Sequence, residues 1–354
     1  MDDRFTRKTS IPITIMEIHT MTACLRRALL GLFLGVAALA AQAAEKRSYC
    51  VFDPLGAAGP VYNLMKATRI QALNWGYDLE LNAYTDEKIA ADDFRAGQCD
   101  AVLLTDVRAR DFNRFTGTLV ALGAIPGYDE LKTILQTLAQ PKAAKLMASG
   151  DYEVAGLLPA GAVYVLVRDR RVNSVQTIQG KKIATFDYDP AAVTMVRHVG
   201  GSVVGATPSS FAGKFNNGSV DVAYAPAIAY QPLELYKGVE PDGGVYSYSF
   251  AQMTYQMLVR KDRFNADFAQ KAREHYQGRF DELMDMVRKA EAEIPAKVWI
   301  HPNQEETAGF SNMLKEVRIA LKQDGAYDPK ALQLMLKVRC HSDPANAECV
   351  DGRE

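Results

Sequence analysis

Short apolar runs alternate with helix-period segments along this chain, and few folds accommodate that order. Residues 49–52 are strand-length and apolar. Residues 60–73 place Val61, Leu64, Ala67, Ile70 and Leu73 on related faces of a helix. Residues 78–83 alternate, 86–95 return to helical spacing, and 101–104 (AVLL) read as a buried strand. This is βαβαβ, which predicts a mainly parallel sheet covered by helices. The order then recurs. Strands are expected at 163–167, 182–186, 202–205 and 220–224, helices at 190–199 and 208–215, and Pro226 is placed to open a further helix at its first turn.

One local pattern falls at the same place in both series. Phe94, Gly97 and Asp100 precede AVLL, and Phe215, Gly218 and Asp221 precede VAYA. In F-x-x-G-x-x-D, the apolar residue closes a helix, Gly takes the left-handed position after it, and the chain turns into the sheet. Two copies point to two similar lobes. A length of 354 residues also suits two lobes better than one simple core. Residues 45–160 read as a first lobe, completed by part of 250–295, and residues 161–249 as a second. Residues 250–354 hold a strand returning to the sheet at 250–259, then helical patterns at 265–294, 304–323 and 329–338. Crossings at 159–161 and 243–250 would make the hinge. The charged faces of the last helices read as solvated surface.

Ahead of this pattern, Arg26 and Arg27 precede an uncharged apolar run at 28–40, and Ala41-Gln42-Ala43-Ala44 offers small residues to a signal peptidase. The run is shorter than the ~20 residues of a membrane span. Residues 1–44 are therefore expected to be an export signal cut near Ala43 or Ala44, with the mature chain in the periplasm. Four cysteines then remain, an even number in an oxidising compartment. Three pairings are open. Cys50–Cys99 and Cys340–Cys349 are favoured, because the first joins the starts of two strands and the second closes a short C-terminal loop. Their spacing fits no zinc finger, so no metal is expected. A net charge of -1 gives no ground for a nucleic-acid partner.

In parallel sheets, ligands bind beyond the carboxyl ends of the strands. The candidates there are Asp53 and Gly56 after the first strand, Tyr84, Thr85 and Asp86 after the second, and Thr105, Asp106 and Arg108 after the third. The second series offers Phe186, Asp187 and Tyr188, then Tyr224 and Pro226. Asp oxygens accept hydrogen bonds, and Tyr supplies flat contact area with a polar tip. The same positions suit N-caps, and Asp86, Asp106 and Asp189 stand where caps belong. Arg168 and Arg260 end strands and read as surface ion-pair formers. Nucleophile-elbow, zinc-protease, P-loop and dinucleotide motifs are missing from the sequence, which predicts a binding protein without a cofactor rather than an enzyme.

The stretches CVFDPLGAAGPVY, YTDEKIAADDFRAGQCDAVLLTDVRARDFNRFTGTL and IQGKKIATFDYDPAA resemble the AdeT-like solute-binding proteins, and more broadly the substrate-binding subunits of TRAP transporters. The resemblance implies a two-lobed periplasmic binding protein fold of the α/β class. Each lobe would be a mainly parallel sheet flanked by helices, with a long C-terminal helix. It implies a small-molecule solute caught between the lobes and an inner-membrane transporter as partner. An accessory or sensor role beside a drug-efflux system is the alternative. In TRAP subunits, the strand after the GKK-type turn carries an Arg that grips a carboxylate. Ala184 stands at that place here, so the expected ligand is neutral, hydroxylated or cationic.

Overall fold

The computed structural model describes residues 44–354. Apart from Ala44, the expected export signal lies outside them. Within Glu45–Glu354 the strands are, in order, β1 (Glu45–Phe52), β2 (Tyr77–Tyr84), β3 (Ala101–Thr105), β4 (Ala148–Ser149), β5 (Tyr152–Val167), β6 (Lys182–Phe186), β7 (Ser202–Ala206), β8 (Val222–Pro226), β9 (Gly244–Tyr246), β10 (Ala251–Arg260) and β11 (Trp299–Ile300). They form one sheet in the order β2-β1-β3-β10-β5-β8-β6-β7, with β4 and β9 alongside β5 and β11 on β9. β1 is parallel to β2 and β3, and β6 is parallel to β7 and β8. Between these parallel trios lie β10 and β5, antiparallel to each other and to their outer neighbours. Each lobe is thus a parallel trio closed by one antiparallel strand.

β5 joins the lobes. It pairs with β10 from Tyr152 to Val163 and with β8 from Val163 to Val167. A strand confined to 163–167 is therefore corrected: at 159–161 the chain stays in the sheet. Proline has no N–H to give a ladder, so it is tolerated where pairing is interrupted. The register shifts between Met253 and Thr254, so that Ala160 is skipped beside Pro159, and the bulge absorbs the proline.

Other boundaries follow the spacing closely. The helices Pro60–Leu73 and Gln304–Gln323 begin and end where the pattern puts them, and the latter is the long C-terminal helix. Pro226 differs: it ends β8 and is followed by a single 3-10 turn, Ala227–Ala229. The pattern at 265–294 divides into Phe268–Gly278 and Phe280–Ala292, since glycine weakens the helix at the join. The helix Tyr128–Ala139 has no counterpart among the expected elements, although its buried Leu131, Ile134, Leu135 and Leu138 carry helical spacing.

The two F-x-x-G-x-x-D units are the same device in three dimensions. Phe94 and Phe215 are fully buried, and Gly97 and Gly218 have φ of 82° and 81°. Asp100 accepts the Ser48 N–H at 2.9 Å, and Asp221 accepts the Lys182 N–H at 2.8 Å. Each aspartate thereby ties its turn to the first strand of its parallel trio. Arg260 donates to the Phe94 carbonyl at 3.3 Å and Arg168 to the Phe215 carbonyl at 2.8 Å. These arginines satisfy helix C-terminal carbonyls, a role the surface ion-pair reading misses.

The cysteines pair as Cys50–Cys99 and Cys340–Cys349, with Cα separations of 5.9 and 5.6 Å. Among the described residues, no helix is long and apolar enough to cross a membrane, and no three metal-ligating side chains converge.

Candidate functional site

β3 ends at Thr105 and β8 at Pro226, and a cavity of about 160 Å³ lies at those ends. Topology puts it there: strand ends present loops and side chains that the sheet itself does not use. Tyr255 of β10 sits opposite Thr105, and Val163 of β5 opposite Pro226. All four residues line the cavity, so the two lobes contribute matching positions. Phe52, Val107, Phe186, Met195, Phe211 and Phe250 make most of the remaining wall apolar and aromatic. An apolar cavity of about 150 Å³ is known to hold a benzene ring, which sets the scale of an occupant.

Of the residues expected from the sequence, Asp53, Thr105, Phe186, Tyr188, Tyr224 and Pro226 line this cavity. Asp53 is not free for a ligand, because its oxygens accept the N–H groups of Leu55, Val61 and Tyr62 at 2.9 to 3.0 Å and close the loop before the Pro60–Leu73 helix. Gly56, Tyr84, Thr85, Asp86, Asp106, Arg108 and Asp187 are outside the lining. Gly56 is buried in the turn after β1, and Thr85 and Asp187 are exposed. The Tyr84 hydroxyl donates to Asp93 at 2.8 Å, and Asp86 caps the helix Glu87–Ala96. Asp106 is fully buried and accepts the N–H and hydroxyl of Thr254 at 2.7 and 3.0 Å. Burial pushes its carboxyl up to about 7, against the pull of those donors.

Polar residues that the strand-end rule misses also line the cavity. Glu87 is buried. One of its oxygens accepts both the N–H and the hydroxyl of Thr105 at 2.7 Å, and the other accepts the Tyr188 hydroxyl at 2.9 Å. Burial raises its pKa, opposed by those hydrogen bonds. The guanidinium carbon of Arg108 lies 3.5 Å from the centre of the Tyr188 ring, so the cation packs on Tyr188 and not on the cavity. Arg110, two residues on, lines the cavity instead. It donates to the Gly117 carbonyl at 2.9 Å and meets Asp189 of the other lobe at 3.4 Å, both side chains being nearly buried. Asp189 also accepts the Ala191 N–H as the cap of the Pro190–His198 helix.

Among the described residues, the buried polar side-chain atoms of the lining without a hydrogen-bond partner are Arg110 Nη2 and the hydroxyls of Tyr224 and Tyr327. Arg110 lies 5.2 Å from the centre of the Tyr327 ring. Burial drives both tyrosines far above the usual phenol range, so they stay neutral and able to donate. These buried groups are able to donate; of the acids in the lining, Asp53 and Glu87 are engaged through both oxygens, and Asp189 is bonded through one. Ala184 is fully buried in the second lobe's core and does not itself line the cavity.

The family profile of solute-binding protein AdeT 1/2 matches residues 63–354. The chain belongs to this family. It is 39% identical over 299 residues to "Probable solute-binding protein AdeT1" of Acinetobacter baumannii, covering 84% of this chain and 98% of that one. The corresponding AdeT2 protein of the same organism is 25% identical over 237 residues, 67% of this chain and 100% of the relative. As an AdeT1/2 protein, the chain shares its fold with TRAP periplasmic solute-binding proteins. One from Desulfovibrio salexigens, with bound orotic acid, superposes with a TM-score of 0.70 at 10% identity, covering 84% of this chain and 99% of that one. The ectoine-binding protein of the Halomonas elongata TeaABC TRAP transporter gives 0.69 at 15% identity, over 84% and 100% of the two chains. The AdeT1/2 chain is a solute-binding protein built on this two-lobed frame.

Proposed function

We propose that the chain acts in the periplasm after its export signal is cut near Ala43 or Ala44. There it captures a small solute in the cavity between lobes bounded as read from the sequence, and passes it to an inner-membrane transporter of the TRAP kind. The observation that supports this reading is the cavity itself, apolar along most of its wall and holding three unpartnered donors, Arg110 Nη2 and the hydroxyls of Tyr224 and Tyr327. The solute such a wall suits is compact, with a largely apolar body and one acceptor group, a carboxylate or carbonyl, for Arg110 to hold. This reading departs from the neutral, hydroxylated or cationic ligand expected from Ala184. Among TRAP proteins of this fold, one has bound orotic acid and another is an ectoine-binding protein, and both compounds bear a carboxylate.

Native mass spectrometry of protein isolated from periplasm tests this directly. The denatured mass gives the first residue of the mature chain, and the native mass gives any retained solute. A compact acid or carbonyl compound supports the reading, and a polyol or amine overturns the ligand class. No adduct, followed by no thermal shift across acids, polyols and amines, would put the efflux-accessory role in its place. Arg110→Met is expected to weaken binding of the retained solute by about 2 kcal/mol, roughly thirtyfold in Kd, by calorimetric titration.

A further inference from the structure

The C-terminal helices carry charge into the interior. Arg318, on Gln304–Gln323, and Arg339, on Pro329–Ser342, are 1% and 4% exposed, so these two do not belong to a solvated face. Two carboxylates from the last residues of the chain meet them. Glu348 accepts from Arg318 at 2.8 Å and from Arg339 at 2.7 Å, and Glu354 bonds both. Each arginine also reaches the backbone of one segment. Arg318 donates to the Leu122 carbonyl at 2.7 Å, and Arg339 to the Ala124 carbonyl at 2.5 Å. Leu122 and Val120 line the cavity. Between the two held carbonyls, the Gly123 N–H donates to the carbonyl of Phe250, another residue of the wall, at 2.7 Å. The Cys340–Cys349 bond closes the turn that brings Glu348 back over Arg339.

We propose that Arg318 and Arg339 are positioning residues of the solute cavity, and that the tail stapled by Cys340–Cys349 holds them in that role by supplying Glu348 and Glu354. A buried cation needs a paired anion, so withdrawing the tail leaves two unbalanced charges behind one wall. The proposal rests on reading the cavity as the solute site, but its test needs no solute. Cys50 and Cys99 are buried, whereas Cys340 and Cys349 are partly exposed, so a dithiol reaches the tail bond first. The dithiol gives two electrons and two protons. The S–S bond breaks to two thiols, and the reductant closes to its own disulfide.

Hydrogen–deuterium exchange of the full mature chain, read by mass spectrometry, decides the matter. After mild dithiol treatment, and separately in Glu348→Gln/Glu354→Gln, the amides of residues 119–125 are expected to exchange about tenfold faster, while those of 190–198 and 222–226 keep their rates. Arg339→Lys, which keeps the charge and a donor for Ala124, should preserve most of the protection that Arg339→Met loses. Faster exchange in the tail with 119–125 unchanged would overturn the proposal. A uniform rise across the chain would do so too, because it reports loss of stability and not of a positioned wall. A wall that loosens as described in a protein that binds no solute would sustain the coupling and sink the reading of the cavity.

Discussion

The two lobes are assembled from the same parts, and they differ where the first has been reinforced. Both end a helix on a buried Phe, turn at a left-handed Gly, and tie the turn to the first strand of their parallel trio through an Asp. Because Ser48 and Lys182 hold equal places against Asp100 and Asp221, Cys50 corresponds to Ala184, and Cys99 to Val220. The second lobe thus buries an apolar pair, both fully covered, where the first carries a disulfide. Counting on from the same aspartates, Asp106 corresponds to Ala227, and Thr105 to Pro226. The second lobe shows that the unit can be built from ordinary packing at these places, with no cross-link and with Ala227 where the first lobe buries Asp106. What the first lobe adds is extra to the fold.

Making the first lobe imitate the second measures those additions. The largest effect is expected from Cys50→Ala/Cys99→Val. The bond spans a sequence separation of 49, and freeing that loop in the unfolded chain costs roughly 4 kcal/mol by the chain-entropy relation. Denaturant unfolding under oxidising conditions measures it. A loss under about 1 kcal/mol would mean that Ala and Val pack there as well as Ala184 and Val220 do.

Next comes Asp106. Its folded pKa, about 7, lies above the usual aspartate value, so folding favours the protonated form. The associated stability is fully present below about pH 4 and is lost as pH rises through 7. Between pH 5 and 8 the protein should lose roughly 2–3 kcal/mol from this group, and Asp106→Asn should flatten that slope in thermal melts at the two pH values. A slope unchanged by the substitution would place the titration elsewhere.

The smallest effect tests the likeness of the lobes. Gly97→Ala and Gly218→Ala each force a side chain into the left-handed region, at about 1 kcal/mol apiece. Equal losses by urea unfolding confirm one device used twice, and unequal losses show that Arg260 and Arg168 brace the two turns differently.

Much of the frame is legible in the amino-acid sequence, because it rests on local chemistry. Pro60 opens a helix, Gly97 and Gly218 end helices, and alternating or apolar runs make strands. The cysteine pairing is legible for a similar reason: Cys99 stands just before β3, whose parallel pairing with β1 brings it beside Cys50, and Cys340 and Cys349 are separated by one short turn. β5 is half hidden by Pro159 and Gly161, whose usual meaning is a break; only the skipped Ala160 opposite β10 shows how a strand survives them. The site is less legible. Strand ends point to Asp53, Thr105, Phe186, Tyr188, Tyr224 and Pro226, but Arg108 and Arg110 lie on either side of the end of one four-residue helix, and nothing local says which faces inward. Glu87 looks like an ordinary acid in the first turn of a helix. Tyr327 arrives from a turn between the last two long helices, far along the chain, where no periodicity marks it.

A chain that passes from one half to the other inside a single strand cannot be divided at its waist. Cutting β5 near Val163 would leave β3 and the first part of β5 in one fragment and β10, the strand that pairs with both, in the other. Each piece would display a bare, hydrogen-bond-hungry edge, the kind that recruits further copies into aggregates. Split-reporter fusions and domain insertions therefore belong in the surface turns around Gly150 or Gly180, where an added side chain would meet no neighbour, and not at the midline between the lobes.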